Sequence, residues 1–323
     1  MSQEPDGLNF NYGGQAVIEG VMMRGSQALA VSVRNPHGEI VTHVEPLNQA
    51  IYGSKMARLP FARGLTLLWD ALGLGIKALM FSAEVAVPEE EKADPQGKAF
   101  EGPVQVGTVA ISLAFAIGLF FVLPVFLASL IEGWLHLRES QVVSNLIEGG
   151  IRLLILVGYI WSIGLLPDIR RLYGYHGAEH KTINAYEAGA ALTPESVARF
   201  PLEHPRCGTA FLLTVVIVSI LLYSFFPPLN LALRIVSRLL LLPVVAGIAY
   251  EIIRFSAKHL DNVFIRIIIK PNLALQRLTT REPDQTMLEV AITAFQQMMA
   301  RESGTVYAEP ALVLAETSDA TPR

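Results

Sequence analysis

Apolar residues fall along the chain in several rhythms, and each predicts a different element. From Gly13 to about Leu47 the rhythm is that of strands. Leu29, Val31 and Val33 alternate with smaller or polar neighbours, the period of two expected of a half-buried strand. Asn35-Pro36-His37-Gly38 is a turn cluster, and Glu39 to Val44 reads as the returning strand of a β-hairpin. The preceding Gly13 to Gly25 is glycine-rich, which suggests close backbone approach, but its spacing matches no phosphate-binding loop.

Residues 59–87 are apolar in patches, with Asp70 and Lys77 on one helical face. Crossing a bilayer would place both in hydrocarbon at about 2.5–3.5 kcal/mol each. An interfacial or re-entrant helix is the preferred reading, and a further span the alternative. Residues 88–103 then form a charged linker.

Four runs approach the roughly 20 apolar residues that a bilayer requires. The first is Val104 to Ile131, with Pro124 as a kink, and the second is Ile151 to Leu166, with Arg152 at an edge where it can snorkel. The third, Thr209 to Phe226, is closed by Pro227-Pro228. The fourth is Leu239 to Ile253, or starts near Leu229 and so places Arg234 and Arg238 near its outer end. Val263 to Ile269 is β-branched and basic-flanked, a strand or a membrane-surface segment. From Pro283 to Arg301, Leu288, Ile292, Phe295 and Met299 form the stripe of an amphipathic helix. That stripe is expected to cover the hairpin domain or the helix carrying His176. Residues 1–12 and 303–323 read as disordered termini.

Composition changes the picture from a soluble chain to a membrane one. Charged residues make up 17% and hydrophobic ones 52%, with mean hydropathy +0.42. Soluble domains carry about 25% charged residues, and the shortfall is concentrated in residues 104–253. The fold expected is a mainly α membrane protein with about four transmembrane helices. A small β-containing N-terminal domain over 13–58 and a C-terminal segment with an amphipathic helix over 254–302 flank them. The net charge of -4 gives no reason to expect nucleic acid as a partner. A single cysteine excludes an intrachain disulfide. The polar start, Met1 to Gly7, lacks the basic and apolar regions of a signal peptide.

Orientation follows from Lys and Arg. The stretch between the second and third runs holds Arg170, Arg171, Lys181, Arg199 and Arg206, and the segment after the fourth adds Arg254, Lys258, Arg266 and Lys270. The loop between the first two runs has only Arg138, although Arg234 and Arg238 weaken the contrast. Both termini and the His-rich loop, 168–207, are therefore expected on the cytoplasmic side of a multi-pass plasma-membrane protein.

That loop carries the candidate chemistry. Tyr175 to Ala188 reads as a helix ended by Gly189. His176 and His180, four apart, lie one above the other and suit a divalent metal, zinc above all. His204 and Cys207 can bend around the same ion. All four would close a structural site, and three plus water would leave an open one. His-x-x-Glu-His is also the inverzincin spacing, in which Glu179 would activate water and a distant carboxylate, here Glu251, would complete the ligand set. The plainer readings stand beside these: imidazoles bonded to lipid head groups or backbone, Cys207 as a buried apolar residue, and Glu251 paired with Arg254. His37 and His43 read as surface residues. No nucleophile elbow, Walker loop or dinucleotide fingerprint occurs.

Four motifs in order, Gly13 to Gly25, Tyr175 to Thr182, His204 to Thr209 and Leu278 to Pro283, resemble the bacterial YqhQ-like membrane proteins. These are a family of unknown function often labelled as predicted metal-dependent enzymes. The resemblance runs from about Gly13 to Met299 and implies metal at His176, His180, His204 and Cys207. It supplies neither substrate nor reaction. Lys270-Pro271-Asn272-Leu273 departs from the Pro-Gly-Leu expected there.

Two functions follow as expectations. One is a metal-dependent hydrolase or peptidase with a membrane-embedded or membrane-adjacent substrate, with Glu179 as general base. The other is a non-enzymatic scaffold that binds a membrane-protein partner in biogenesis or transport, with a structural metal or none. A transporter is disfavoured on the expectation that the spans carry almost no ionisable groups at mid-membrane.

Overall fold

A computed structural model describes residues 12–48, 59–86, 103–135, 141–226 and 229–304. Apart from their edge residues, the expected termini 1–12 and 303–323 and the linker 88–103 lie outside these.

The N-terminal region is an antiparallel meander in the order β1-β2-β3-β4. Its strands are β1 (Gly13–Val17), β2 (Gly20–Arg24), β3 (Ala28–Arg34) and β4 (Ile40–Pro46). Gly38 takes the β3–β4 turn at φ 87°, a left-handed conformation that glycine adopts without strain. The half-buried reading of β3 needs correction, because the strand is buried on both faces. Leu29, Val31 and Val33 pack with Val17 and Met22 against Ala78 of helix α1 (Ala62–Ala86). Ala30, with Val21 and Met23, packs under helices α5 and α10, described below. The residues on that second face are small, so the alternation looked one-sided.

Helix α2 (Pro103–Ile117), a π-helical turn (Gly118–Val122) and α3 (Leu123–Leu135) run on from one another. Helix α4 (Gln141–Ile163) leads to α5 (Pro167–Glu187), and the short α6 (Pro194–Val197) follows. Then come α7 (Gly208–Tyr223), α8 (Leu231–Lys258), α9 (Val263–Thr279) and α10 (Gln285–Ser303). Among the described residues, three segments are long and apolar enough to cross a membrane: Ala110–Trp134, Val142–Ile163 and Leu231–Lys258. Helix α7 is apolar but has 16 residues, fewer than the roughly 20 of a full span. The third expected run is therefore a shorter helix packed against α8 and α4.

The second run also needs correction. It begins at Gln141, ten residues before Ile151, and Arg152 does not snorkel. The chain tolerates charge there because the charges meet one another. Arg152 donates to Glu148 Oε1 (2.7 Å), Ser219 Oγ (2.9 Å) and the Phe120 carbonyl (3.0 Å). Pro124, four residues after Phe120, has no N–H to offer that carbonyl. Arg234 reaches Glu148 and Glu132, and Arg238 reaches Glu148 and Asn145. All five charged residues are buried. The expectation of almost no ionisable groups in the spans does not hold, and the argument it made against a transporter falls with it.

Val263 to Ile269 is not a strand but the start of α9, capped by Asn262, whose side chain accepts the Phe264 N–H (2.9 Å). Val263, Phe264, Ile267 and Ile268 remain exposed. Helix α10 is capped by Asp284 and closed by Gly304 at φ 69°. Leu288, Ile292 and Phe295 bury its stripe against both the sheet and the helix of His176.

Tyr175, Ala178 and Ile183 of α5 join Leu288, Phe295 and Met298 of α10 in the core above the sheet. Gly177 makes the close approach possible, because a Cβ there would lie 2.1 Å from the Arg281 carbonyl oxygen and 2.9 Å from Leu202 Cδ2. Gly177→Ala is expected to cost about 1–3 kcal/mol. Thermal unfolding in detergent should show a lowered Tm, and an unchanged one would mean that the two segments are not so close.

Candidate metal centre

Three ligand atoms, one each from His176, His180 and Cys207, lie within 4.8 Å of one another. The two histidines come from one face of α5, and Cys207 from the N-cap of α7. What brings the cysteine to the helix is the segment 198–204, tacked along α5 by side chains. Lys181 Nζ donates to the Ala198 carbonyl (2.7 Å), and Asn184 Nδ2 to those of Pro201 (2.9 Å) and Glu203 (3.1 Å). From α9, the buried Gln276 amide holds the backbone of His204 at both N–H (3.0 Å) and carbonyl (2.7 Å).

Both histidines are oriented from behind. His176 Nδ1 donates to the Thr279 carbonyl (2.8 Å), and His180 Nδ1 to that of Leu202 (2.5 Å). A carbonyl only accepts, so each Nδ1 carries the hydrogen and each Nε2 presents a lone pair. His176 Nε2 lies 3.3 Å from Cys207 Sγ. His180 Nε2 is buried and has no hydrogen-bond partner. Such an orphaned acceptor costs about 1–3 kcal/mol unless something meets it. Two imidazoles and a sulfur converging on one point fit a zinc-type ion.

Glu179 sits between the two histidines in sequence and turns toward the sheet. Its carboxylate accepts the Gly14 N–H, and a Cβ on Gly14 would lie 3.0 Å from Glu179 Cδ. The other oxygen, Oε2, is buried without a partner. Burial pushes its pKa up to about 7, against the opposing pull of His176 and the Gly14 N–H.

His204 stands beside the cluster rather than in it. Its ring centroid is 5.5 Å from that of His180, and its Nε2 faces Arg206 Nη2 at 3.2 Å. Burial, then Arg206, lowers its pKa to about 2, which keeps the ring neutral. Arg206 is itself paired with Glu187. Glu251 lies outside the set as well. Both its oxygens are taken by Arg63 of α1, and it also accepts the Phe61 N–H (3.1 Å), so its partner is not Arg254.

Several residues that build the site carried no chemical signal in the sequence. The carbonyls of Leu202 and Thr279 orient the imidazoles, and a backbone carbonyl leaves no mark on composition. Thr279 did lie within one of the four motifs. Glu19, in the first motif, is clamped by Arg171 and by the Tyr175 hydroxyl (3.1 Å) and ties the sheet to the start of α5.

The chain matches the family described as "Protein of unknown function (DUF1385)" over residues 59–301. It is also 35% identical over 299 residues to "Uncharacterized protein YqhQ" of Bacillus subtilis (strain 168), covering 90% of this chain and 93% of that protein. No solved structure matches. The matched region takes in the three converging side chains and every candidate membrane helix, and the Bacillus protein agrees with the likeness of the four motifs. The chain belongs to this YqhQ-like family of unknown function.

Proposed function

We propose that His176, His180 and Cys207 hold a divalent metal, zinc by the match of its donors, and that the chain is a metal-dependent hydrolase or peptidase. The observation that carries this reading is the buried, unpartnered Nε2 of His180, on a residue whose ligand atom lies within 4.8 Å of those of His176 and Cys207. Three protein donors leave one tetrahedral position open, and a metal bound there would act as a Lewis acid and lower the pKa of a water in that position. His204 and Glu251 fall outside the ligand set in this reading.

Glu179 is the general base. Its unpartnered Oε2 and its pKa near 7 let it take and return a proton at neutral pH. Cys207 is the residue from which α7 starts. If α7 completes a four-helix transmembrane region, the site lies at the membrane face, which is the cytoplasmic one by the distribution of Lys and Arg. The exposed Val263, Phe264, Ile267 and Ile268 of α9, beside Arg266 and Lys270, suit a helix lying along that surface. A substrate embedded in or close to the bilayer fits such a position.

Glu179→Gln tests the chemistry. It should leave metal content unchanged and reduce activity by about 10²–10⁴-fold, read as failure to complement a deletion strain. Full complementation by a metal-loaded Glu179→Gln would sink the enzyme reading. One observation favours the second reading, a scaffold with a structural metal. The Glu179 carboxylate already ties α5 to Gly14 of β1, and in a scaffold that tie would be its whole role.

A further inference from the structure

Among the described residues, the buried charges of the helical bundle do not balance. Arg152, Arg234 and Arg238 are three guanidiniums, charged at any accessible pH, and they face two carboxylates, Glu132 and Glu148. Glu148 serves all three arginines, and Glu132 serves Arg234. Positive charge is therefore in excess by at least one. Excess charge in a low-dielectric bundle is costly unless something answers it. Partial answers are in place: the Tyr223 ring lies 3.9 Å from the Arg238 guanidinium, and the Phe120 carbonyl accepts from Arg152. Arg152 spends three of its five N–H donors, on Phe120, Ser219 and Glu148.

A cavity of about 180 Å³ adjoins this end of the network, with Arg152 and Ser219 among its lining residues. The rest of its wall is almost wholly apolar, Phe120, Leu156, Val215 and Val245 among it. Tyr159 and Leu212, also in the wall, are 38% and 44% exposed, so the cavity opens through the side of the bundle. It lies well away from the histidines. Ser219 is twelve residues along α7 from Cys207, or about 18 Å at 1.5 Å per residue. The occupant this site calls for has an apolar tail to match the wall and one negative charge to match the excess.

We propose that this cavity binds an anionic amphiphile, a hydrocarbon chain bearing a carboxylate or phosphate, with the tail against α4 and α7 and the anionic group drawn to Arg152. The site enters from lipid rather than from water, and it is independent of the metal centre. A free fatty acid and an anionic phospholipid share this chemistry.

Native mass spectrometry of the full chain in detergent separates the outcomes. The protein is offered equal amounts of oleate, dioleoyl phosphatidylglycerol and dioleoyl phosphatidylcholine. One tightly held anionic molecule per chain is expected, favoured about tenfold over phosphatidylcholine. Oleate as the adduct identifies a free acid as the ligand, and phosphatidylglycerol identifies a phospholipid. Arg152→Gln leaves two guanidiniums facing two carboxylates, so the bundle should still fold while the anionic preference disappears. Val215→Trp fills the cavity, keeps every charge and should abolish the adduct. Equal retention of phosphatidylcholine by the wild type, absence of any adduct, or an anionic preference that survives in Arg152→Gln would each overturn the proposal.

Discussion

Glu148→Gln should destabilise the protein by about 3–5 kcal/mol, enough to prevent recovery of a monodisperse species from membranes. Glu148 is 1% exposed and accepts hydrogen bonds from three guanidiniums. Glutamine keeps the shape but removes the charge, leaving three cations against Glu132 alone. Breaking a buried pair is costly because the remaining charge keeps its desolvation penalty and loses its partner. Arg152→Gln makes the contrast, since it leaves the count even and should cost clearly less. The check is extraction yield together with thermal unfolding of both variants. Equal stability of the two would mean that the network does not hold α3, α4 and α8 together.

His180→Ala should have the second large effect, directed at metal rather than fold. The ring contributes an unpartnered Nε2 and receives its orientation from the Leu202 carbonyl. Its removal takes away a ligand and leaves His176 and Cys207, too few for a stable zinc site. Wild-type protein should be stabilised by added zinc and destabilised by a chelator, as binding to the folded state alone requires. In His180→Ala both responses should vanish, with the Tm close to that of chelator-treated wild type. A variant that still rises in Tm with zinc would place the metal elsewhere.

How much of this was readable depended on whether neighbours in sequence were also neighbours in space. His176 and His180 share a helix face, and their spacing alone placed them together. Cys207 comes from another element, yet it lies close in sequence to the helix it meets. The amphipathic α10 was legible because its stripe of Leu288, Ile292, Phe295 and Met299 repeats within one helix and Pro283 stands near its start. Glu251 illustrates the opposite case. Arg254 lay one turn away and looked like its partner, but Arg63, 188 residues distant, takes the carboxylate. The buried charge network was missed for the same reason, because Arg152 read as an edge residue able to snorkel, while Arg234 and Arg238 lie 86 and 90 residues from the Glu148 that joins them to it. The start of α9 shows local preference overruled. Its β-branched residues suit a strand, but the Asn262 cap starts a helix there, and the later turns of α9, buried at Leu275 and Gln276, carry that helix on against α7 and α4.

The most direct measurement is zinc-edge X-ray absorption on full-length protein purified in detergent without chelator. The account predicts about one zinc per chain with one sulfur at about 2.3 Å and two imidazole nitrogens at about 2.0–2.1 Å. A light atom in the remaining position would complete the open site. No stoichiometric metal even after zinc is supplied, or a metal with no sulfur neighbour, would contradict the assignment of His176, His180 and Cys207 as its ligands.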